Sequence, residues 1–284
     1  MGYLLAAGCS WTDANFKSGI EPDYDCSFPK WPALVAKQLG IKKVVNVGLS
    51  GASNNSIFEA CYDQIIVSKP DVVCILLTSW YRHTIFNYNF NIHGLLVHDY
   101  LQSCAMSGSI IDTDFHSKWA EQWLIDNHAP KLMAEYLWQK FITVESMVNE
   151  TLRNIYLFQT FCERLNIEVV IGQGLDPVSC EDPYTASFFN SPAGKRARDQ
   201  NLRRNNSYAR CLIESNYSHM VDDKNIVGWP FFDSVGGSTA VNKFITSGNY
   251  WNYVISKKDG HPNALGHKVI ADMFIEGYTN VYKD

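Results

Sequence analysis

The chain has 284 residues, 46% hydrophobic and 19% charged, with a net charge of −5. That balance describes a folded globular protein rather than a disordered one, and its acidic sign argues against a nucleic-acid-binding surface. No apolar stretch reaches membrane-spanning length, and the first residues lack the basic and long apolar regions of a leader. The expectation is cytoplasmic synthesis with no signal peptide and no membrane insertion. Eight cysteines are scattered without a C-x-x-C pair, several inside apolar runs, which predicts free thiols rather than a disulfide framework. Four N-x-S/T triplets, at Asn54, Asn149, Asn205 and Asn216, read as chance.

Short apolar runs bounded by turn residues predict parallel strands at Tyr3–Ala7, Lys43–Val47, Val72–Leu77, Glu168–Ile171 and Asn225–Gly228. Between the first two, Trp31, Leu34, Val35 and Leu39 follow helical spacing and stop at Gly40, a C-terminal capping glycine. A second helix spans Ser53 to Val67, a longer helical periodicity runs from about Leu132 to Leu165, and a last helix begins near Pro262–Leu265 with Leu265, Val269, Met273 and Phe274 as its apolar stripe. Strand–helix alternation of this kind builds a parallel sheet covered on both faces. Two stretches break it. Residues from about 79 to 126 are aromatic and His-rich, and those from about 175 to 256 are rich in Asn, Ser, Arg and Gly. Both follow strand C-termini, where open α/β sheets carry their binding loops, so they read as insertions in one domain spanning 1–284.

The chemistry lies at the two ends. Tyr3 to Ala7 leads through Gly8-Cys9 to Ser10, a serine in a glycine-led turn at a strand end. Taken alone, Ser10 reads as a turn residue, since Thr12 stands where the nucleophile elbow G-x-S-x-G needs glycine. Near the other end, Asp259-Gly260-His261-Pro262 puts a carboxylate two residues before a histidine, at the start of a helix. In an extended backbone both side chains lie on one side, so the carboxylate can orient the ring. A hydroxyl, a base and an acid are the groups that nucleophilic acyl transfer requires. His267 fits neither a base position nor a metal-ligand spacing and reads as a packing or surface residue. His83, His93, His98, His116 and His128 also lack ligand spacing, and no complete nucleotide fingerprint occurs. No metal or other cofactor is expected.

Together these segments resemble the SGNH (GDSL-like) hydrolase family. Gly8-Cys9-Ser10-Trp11-Thr12-Asp13 is similar to its first block, with Cys9 where Asp is usual; Asn46-Val47-Gly48-Leu49-Ser50-Gly51-Ala52-Ser53-Asn54 to its second; and Asp259-Gly260-His261-Pro262 to its last. The resemblance implies a flavodoxin-like three-layer α/β/α sandwich with a five-stranded parallel sheet. It implies Ser10 as nucleophile, His261 as base and Asp259 as its orienter, with the amides of Ser10 and Gly51 in the oxyanion hole. Two departures stand out. The family spaces acid and histidine as D-x-x-H, whereas this chain has D-x-H, and its third block carries an oxyanion asparagine where this chain reads Leu77-Thr78-Ser79-Trp80-Tyr81-Arg82. Asn54, Thr78 and Ser79 are the candidate replacements. Asn54 is favoured for its place beside Gly51, although asparagine there also suits a helix cap. Trp80 and Arg82 are candidate substrate-binding residues, the arginine as a grip on negative charge or a surface ion pair.

The expected function is a serine esterase removing acyl groups, acetyl above all, from a carbohydrate or similar hydroxylated substrate. The partner is then a small acyl ester or acylated glycan. The alternatives are an acyltransferase using the same site, or a catalytically weak component of a virion or cell-surface assembly. Homo-oligomers or larger assemblies are left open.

Overall fold

A computed structural model describes residues 2–80, 82, 144–177 and 206–283. Five strands form one all-parallel sheet: β1 (Leu4–Gly8), β2 (Val44–Asn46), β3 (Val72–Leu77), β4 (Glu168–Gln173) and β5 (Ile226–Val227), in the order β2-β1-β3-β4-β5. This is the flavodoxin-like order, in which the sheet grows one way from β1 to β2 and the other way through β3. β1 pairs with β2 from Leu4 opposite Val44 and with β3 from Leu4 opposite Val72. The strands match the sequence expectation to within a residue or two at each end.

The strands are apolar on both sides because both sides are covered. Leu5, Ala7, Val73, Ile75 and Leu77 point into one core with helices α2 (Asn54–Val67) and α3 (Val144–Arg164). Leu4, Ala6, Val72, Cys74 and Leu76 point into the other, with α1 (Trp31–Leu39), α4 (Ala240–Thr246) and α5 (Ala264–Tyr282). The alternation along each strand produces two cores from one set of runs, and the fold is a three-layer α/β/α sandwich. α1 opens with Pro32 and ends at Gly40, whose φ of 72° lets its N–H reach back to Ala36 O. The long helical periodicity expected from about Leu132 appears as α3 over its described part; its beginning lies outside the described residues. Most of the aromatic, His-rich segment lies outside them as well, including the five histidines between 83 and 128.

The six cysteines among the described residues, Cys9, Cys26, Cys61, Cys74, Cys162 and Cys211, are all free. No helix among the described residues is long and apolar enough to cross a membrane.

Candidate active site

β1 ends at Gly8, and the chain turns at once: the N–H groups of Thr12 and Asp13 both donate to Cys9 O, at 2.8 and 3.1 Å. Ser10 rides on this turn at the carboxyl edge of the sheet, beside the point where strand order reverses between β1 and β3, and is 9% exposed. The turn is held from beneath by buried Thr12, whose Oγ1 accepts from Trp31 Nε1 at 3.2 Å. Glycine at position 8 is obligatory, because a Cβ there would lie 2.1 Å from Thr12 Oγ1 and 2.9 Å from Leu76 O.

The turn after β2 is tied to this one. Asn46 Nδ2 donates to Thr12 O at 2.6 Å, its Oδ1 accepts from Gly48 N at 2.8 Å, and Gly48 packs so closely on Thr12 that a Cβ would meet its atoms at 2.8 Å. Asp13 Oδ2 accepts from Ser50 Oγ at 2.7 Å and from Ser50 N at 3.3 Å. Gly51 follows at φ 83°, a left-handed conformation that favours glycine. The Ser10 turn and the Gly51 turn are thus fixed to each other by three side chains.

The segment before α5 is equally constrained. Asn263 caps the helix by accepting from Leu265 N and Gly266 N at 2.9 and 3.1 Å, and its Nδ2 donates to the carbonyls of Asn252 and Val254. Ile255 N donates to His261 O and Ser256 N to Asp259 O, closing a tight loop around Gly260. Within it, His261 Nδ1 lies 2.5 Å from Asp259 Oδ1, and His261 Nε2 lies 2.9 Å from Ser10 Oγ. The D-x-H spacing works because Asp259 Oδ1 accepts both the ring N–H and, at 3.0 Å, the backbone N–H of His261. A carboxylate only accepts, so the contact assigns the ring proton to Nδ1 and leaves the Nε2 lone pair for the Ser10 hydroxyl. Asp259 is only 1% exposed. Burial pushes its carboxyl up, but the hydrogen bonds from His261 and Ser18 outweigh that and hold it below the usual carboxylate value.

Two contributors carried no signal of their own in the motif reading. Phe16 stacks on the His261 ring with centroids 4.3 Å apart, and Ser18 Oγ donates to Asp259 Oδ2. The one legible clue to Ser18 is local: Ser18-Gly19-Ile20-Glu21 is an S-x-x-E sequence, and Ser18 Oγ accepts from Glu21 N at 2.7 Å in the manner of a cap.

The segment after β3 is placed differently from expectation. Ser53, not Asn54, caps α2 by accepting from Ser56 N. Asn54 is the first helical residue, and its amide clasps the Thr78 backbone, Oδ1 accepting from Thr78 N at 2.9 Å and Nδ2 donating to Thr78 O at 3.3 Å. One Nδ2 hydrogen is left uncommitted by that pair. Ser79 Oγ donates to Pro177 O at 3.2 Å. Trp80, expected at the substrate surface, is a core residue instead: it is 2% exposed, donates its indole N–H to Gln173 Oε1, and is boxed by Tyr208, Phe231 and Phe232. Burial of an aromatic in a polar-looking stretch is the physical reason. Thr78 Oγ1 and Arg82 Nη1 are the buried side-chain polar atoms without a hydrogen-bond partner among the described residues. Both lie on this segment.

His267, in the first turns of α5, is buried and accepts from Trp31 N through Nδ1 at 3.3 Å. Among the described residues, no group of three or more His, Cys, Asp or Glu could hold a metal ion.

No family model matches the chain, and no curated protein does. Among solved structures it is similar to Axe2, an acetylxylan esterase from Geobacillus stearothermophilus, at 16% identity over 97% of this chain and 93% of that one, with a TM-score of 0.41. It is similar to LAE5, an alpha/beta hydrolase enzyme from the metagenome of Lake Arreo, at 16% identity over 99% and 96%, with a TM-score of 0.43. A third, from Desulfitobacterium hafniense DCB-2 and named for the G-D-S-L family of lipolytic proteins, shares 12% identity over 98% and 99%, with a TM-score of 0.39. These similarities are distant.

Proposed function

We propose that the protein is a serine hydrolase that cleaves acyl esters, with Ser10 as nucleophile, His261 as general base and Asp259 as the group that orients and charge-balances the imidazole. The observation that carries this reading is the unbroken chain Ser10 Oγ–His261 Nε2 at 2.9 Å and His261 Nδ1–Asp259 Oδ1 at 2.5 Å. Residues from opposite ends of the chain meet here in an order that lets a base deprotonate a hydroxyl.

In the first step Ser10 Oγ attacks the ester carbonyl as its proton passes to His261 Nε2. The imidazolium formed is paired with Asp259. The carbonyl electrons move onto the oxygen, which the amides of Ser10 and Gly51 would receive. Each such donor lowers the barrier by about 3 kcal/mol. Asn54, with its spare Nδ2 hydrogen, and unpaired Thr78 are the nearest replacements in sequence for the missing oxyanion asparagine. Collapse of the adduct expels the alcohol, which takes the proton from His261. Water, deprotonated by the same ring, then releases the acid and restores Ser10.

The substrate class we propose, an acetyl ester of a carbohydrate or similar hydroxylated carrier, rests on the resemblance of the three motif blocks. Transfer to an acceptor hydroxyl uses the same site, and product analysis with a sugar acceptor separates it from hydrolysis. Ser10→Ala should lower turnover of a chromogenic acetyl ester by roughly 10⁴-fold or more, with the unfolding midpoint little changed. A fluorophosphonate probe should label wild type one-to-one at Ser10. Wild-type turnover in the alanine variant would overturn the assignment, and wild-type protein that neither turns over ester nor labels would favour a purely structural component.

A further inference from the structure

We propose that Ser18 is a positioning residue for the acid–base pair, its hydroxyl fixing the Asp259 carboxylate in the orientation that faces His261. This rests on the function proposed above. A serine hydroxyl has one proton and two lone pairs. Ser18 Oγ accepts from Ile20 N at 3.2 Å and from Glu21 N at 2.7 Å, which fills both pairs and leaves the proton for Asp259 Oδ2. The direction of that hydrogen bond is therefore set by the backbone and does not depend on rotation of the hydroxyl.

The consequence for Asp259 is complete satisfaction. Oδ1 takes two donors from His261 and Oδ2 takes Ser18, in a site where the carboxylate is almost wholly shielded from water. Without Ser18 the buried Oδ2 has lost its donor, and a carboxylate in that condition either turns about its last torsion to find another or takes up a proton. Either change weakens its grip on Nδ1. The two amides behind Ser18 also polarise its hydroxyl, so the series Ser10, His261, Asp259, Ser18 ends on fixed backbone dipoles.

The same strap of chain makes two further contacts with this loop. Phe16 covers a face of the His261 ring. Glu21 Oε1 accepts from Ser256 Oγ at 2.8 Å, and Ser256 Oγ in turn accepts from Asp259 N at 3.1 Å. Residues 16–21 thus contact both base and acid.

The test compares wild type with Ser18→Ala, Ser18→Thr and Ser10→Ala, reading ester turnover together with the NMR titration of the His261 ring. His267, the ionisable group besides Asp259 that interacts electrostatically with His261, is the same throughout. Ser18→Ala should lower kcat about tenfold with KM within twofold, equivalent to roughly 1.4 kcal/mol, and should lower the His261 midpoint, because the imidazolium loses an aligned counter-charge. Ser18→Thr, which keeps the hydroxyl, should restore most of both. An unchanged kcat with an unmoved midpoint overturns the proposal. So does a raised midpoint, the result expected if Ser18 merely drains charge from a carboxylate that stays in place. Wild-type turnover by Ser10→Ala would sink the hydrolase reading instead, and the ring titration would still decide the role of Ser18. Should Ser18→Ala fail to fold, Ser18→Cys, similar in shape but a weak donor, carries the same two measurements.

Discussion

Asn54 shows how a residue's role follows from its neighbours on both sides. Because Ser53 accepts from Ser56 N and so caps α2, the Asn54 side chain is released from capping and turns to the first residue beyond β3, where it mimics a strand partner for Thr78. The helix start and the sheet edge are joined at one amide, 4% exposed. Asn54→Ala leaves the Thr78 N–H buried without its acceptor, and each such loss costs about 1–3 kcal/mol. We expect urea unfolding to show a loss of about 2 kcal/mol. If Asn54 also donates to the oxyanion, kcat falls further than stability alone explains. An Asn54→Ala protein as stable as wild type would show that the clasp is dispensable. The sequence placed Asn54 beside Gly51 but offered oxyanion donor and cap as rivals, and neither describes the clasp, which depends on a strand 24 positions away.

At the scale of elements, the strands were legible because each is buried on both faces, and a run of six apolar residues such as Val72–Leu77 has little else to become. Ser10 was legible as the end of such a run. Ser18 and Phe16 were not, because their role arises in an irregular loop through contacts with residues more than 240 positions away, where no periodicity reports the partner. Trp80 was misplaced for a related reason: an aromatic in a polar segment looks the same whether it faces water or Gln173. The turn that presents Ser10 gives a sharper case. Gly8 is required by sterics, since Thr12 Oγ1 and Leu76 O occupy the space a methyl group would take. Gly8→Ala must push Thr12 off its bond with Trp31 and move the turn, or pull β1 from β3. Overpacking of this kind costs roughly 1–3 kcal/mol, and a displacement near 1 Å at a nucleophile lowers rate by about 10²-fold. Gly8→Ala should therefore lower kcat/KM by about 10²-fold under conditions where urea unfolding shows the variant still fully folded. Equal activity would mean that the turn tolerates the methyl group.

Across the whole molecule, the site is assembled by docking the chain's last helix onto its first. α1 and α5 share a core in which Trp31 stacks on Phe274 at 4.5 Å, and the polar lock on that docking is His267 Nδ1 accepting from Trp31 N. This bond needs the ring uncharged. Burial, with the positive charges of Lys30 and His261 nearby, pushes the His267 pKa down to about 3 from an ordinary 6.5. The folded chain therefore refuses a proton that the unfolded chain accepts. Stability from this group is complete above about pH 6.5 and falls by roughly 1.4 kcal/mol per unit as the pH drops from there toward 3. Asp259 acts in a lower window: its carboxyl is held below the usual value, so its contribution is intact above the ordinary carboxylate range and is lost only as pH falls through that lower value. Between pH 6.5 and 4 His267 is thus the group to remove. Its replacement by asparagine keeps an acceptor for Trp31 N and abolishes the titration. His267→Asn should be less stable than wild type at pH 7, from the lost ring packing, yet its stability between pH 7 and pH 4 should fall by about 3 kcal/mol less than wild type does. Parallel curves from urea unfolding across that range would show that the acid sensitivity lies elsewhere. Because the segment carrying Asp259 and His261 runs directly into α5, opening this lock separates base from nucleophile, so activity in acid should fail with the fold.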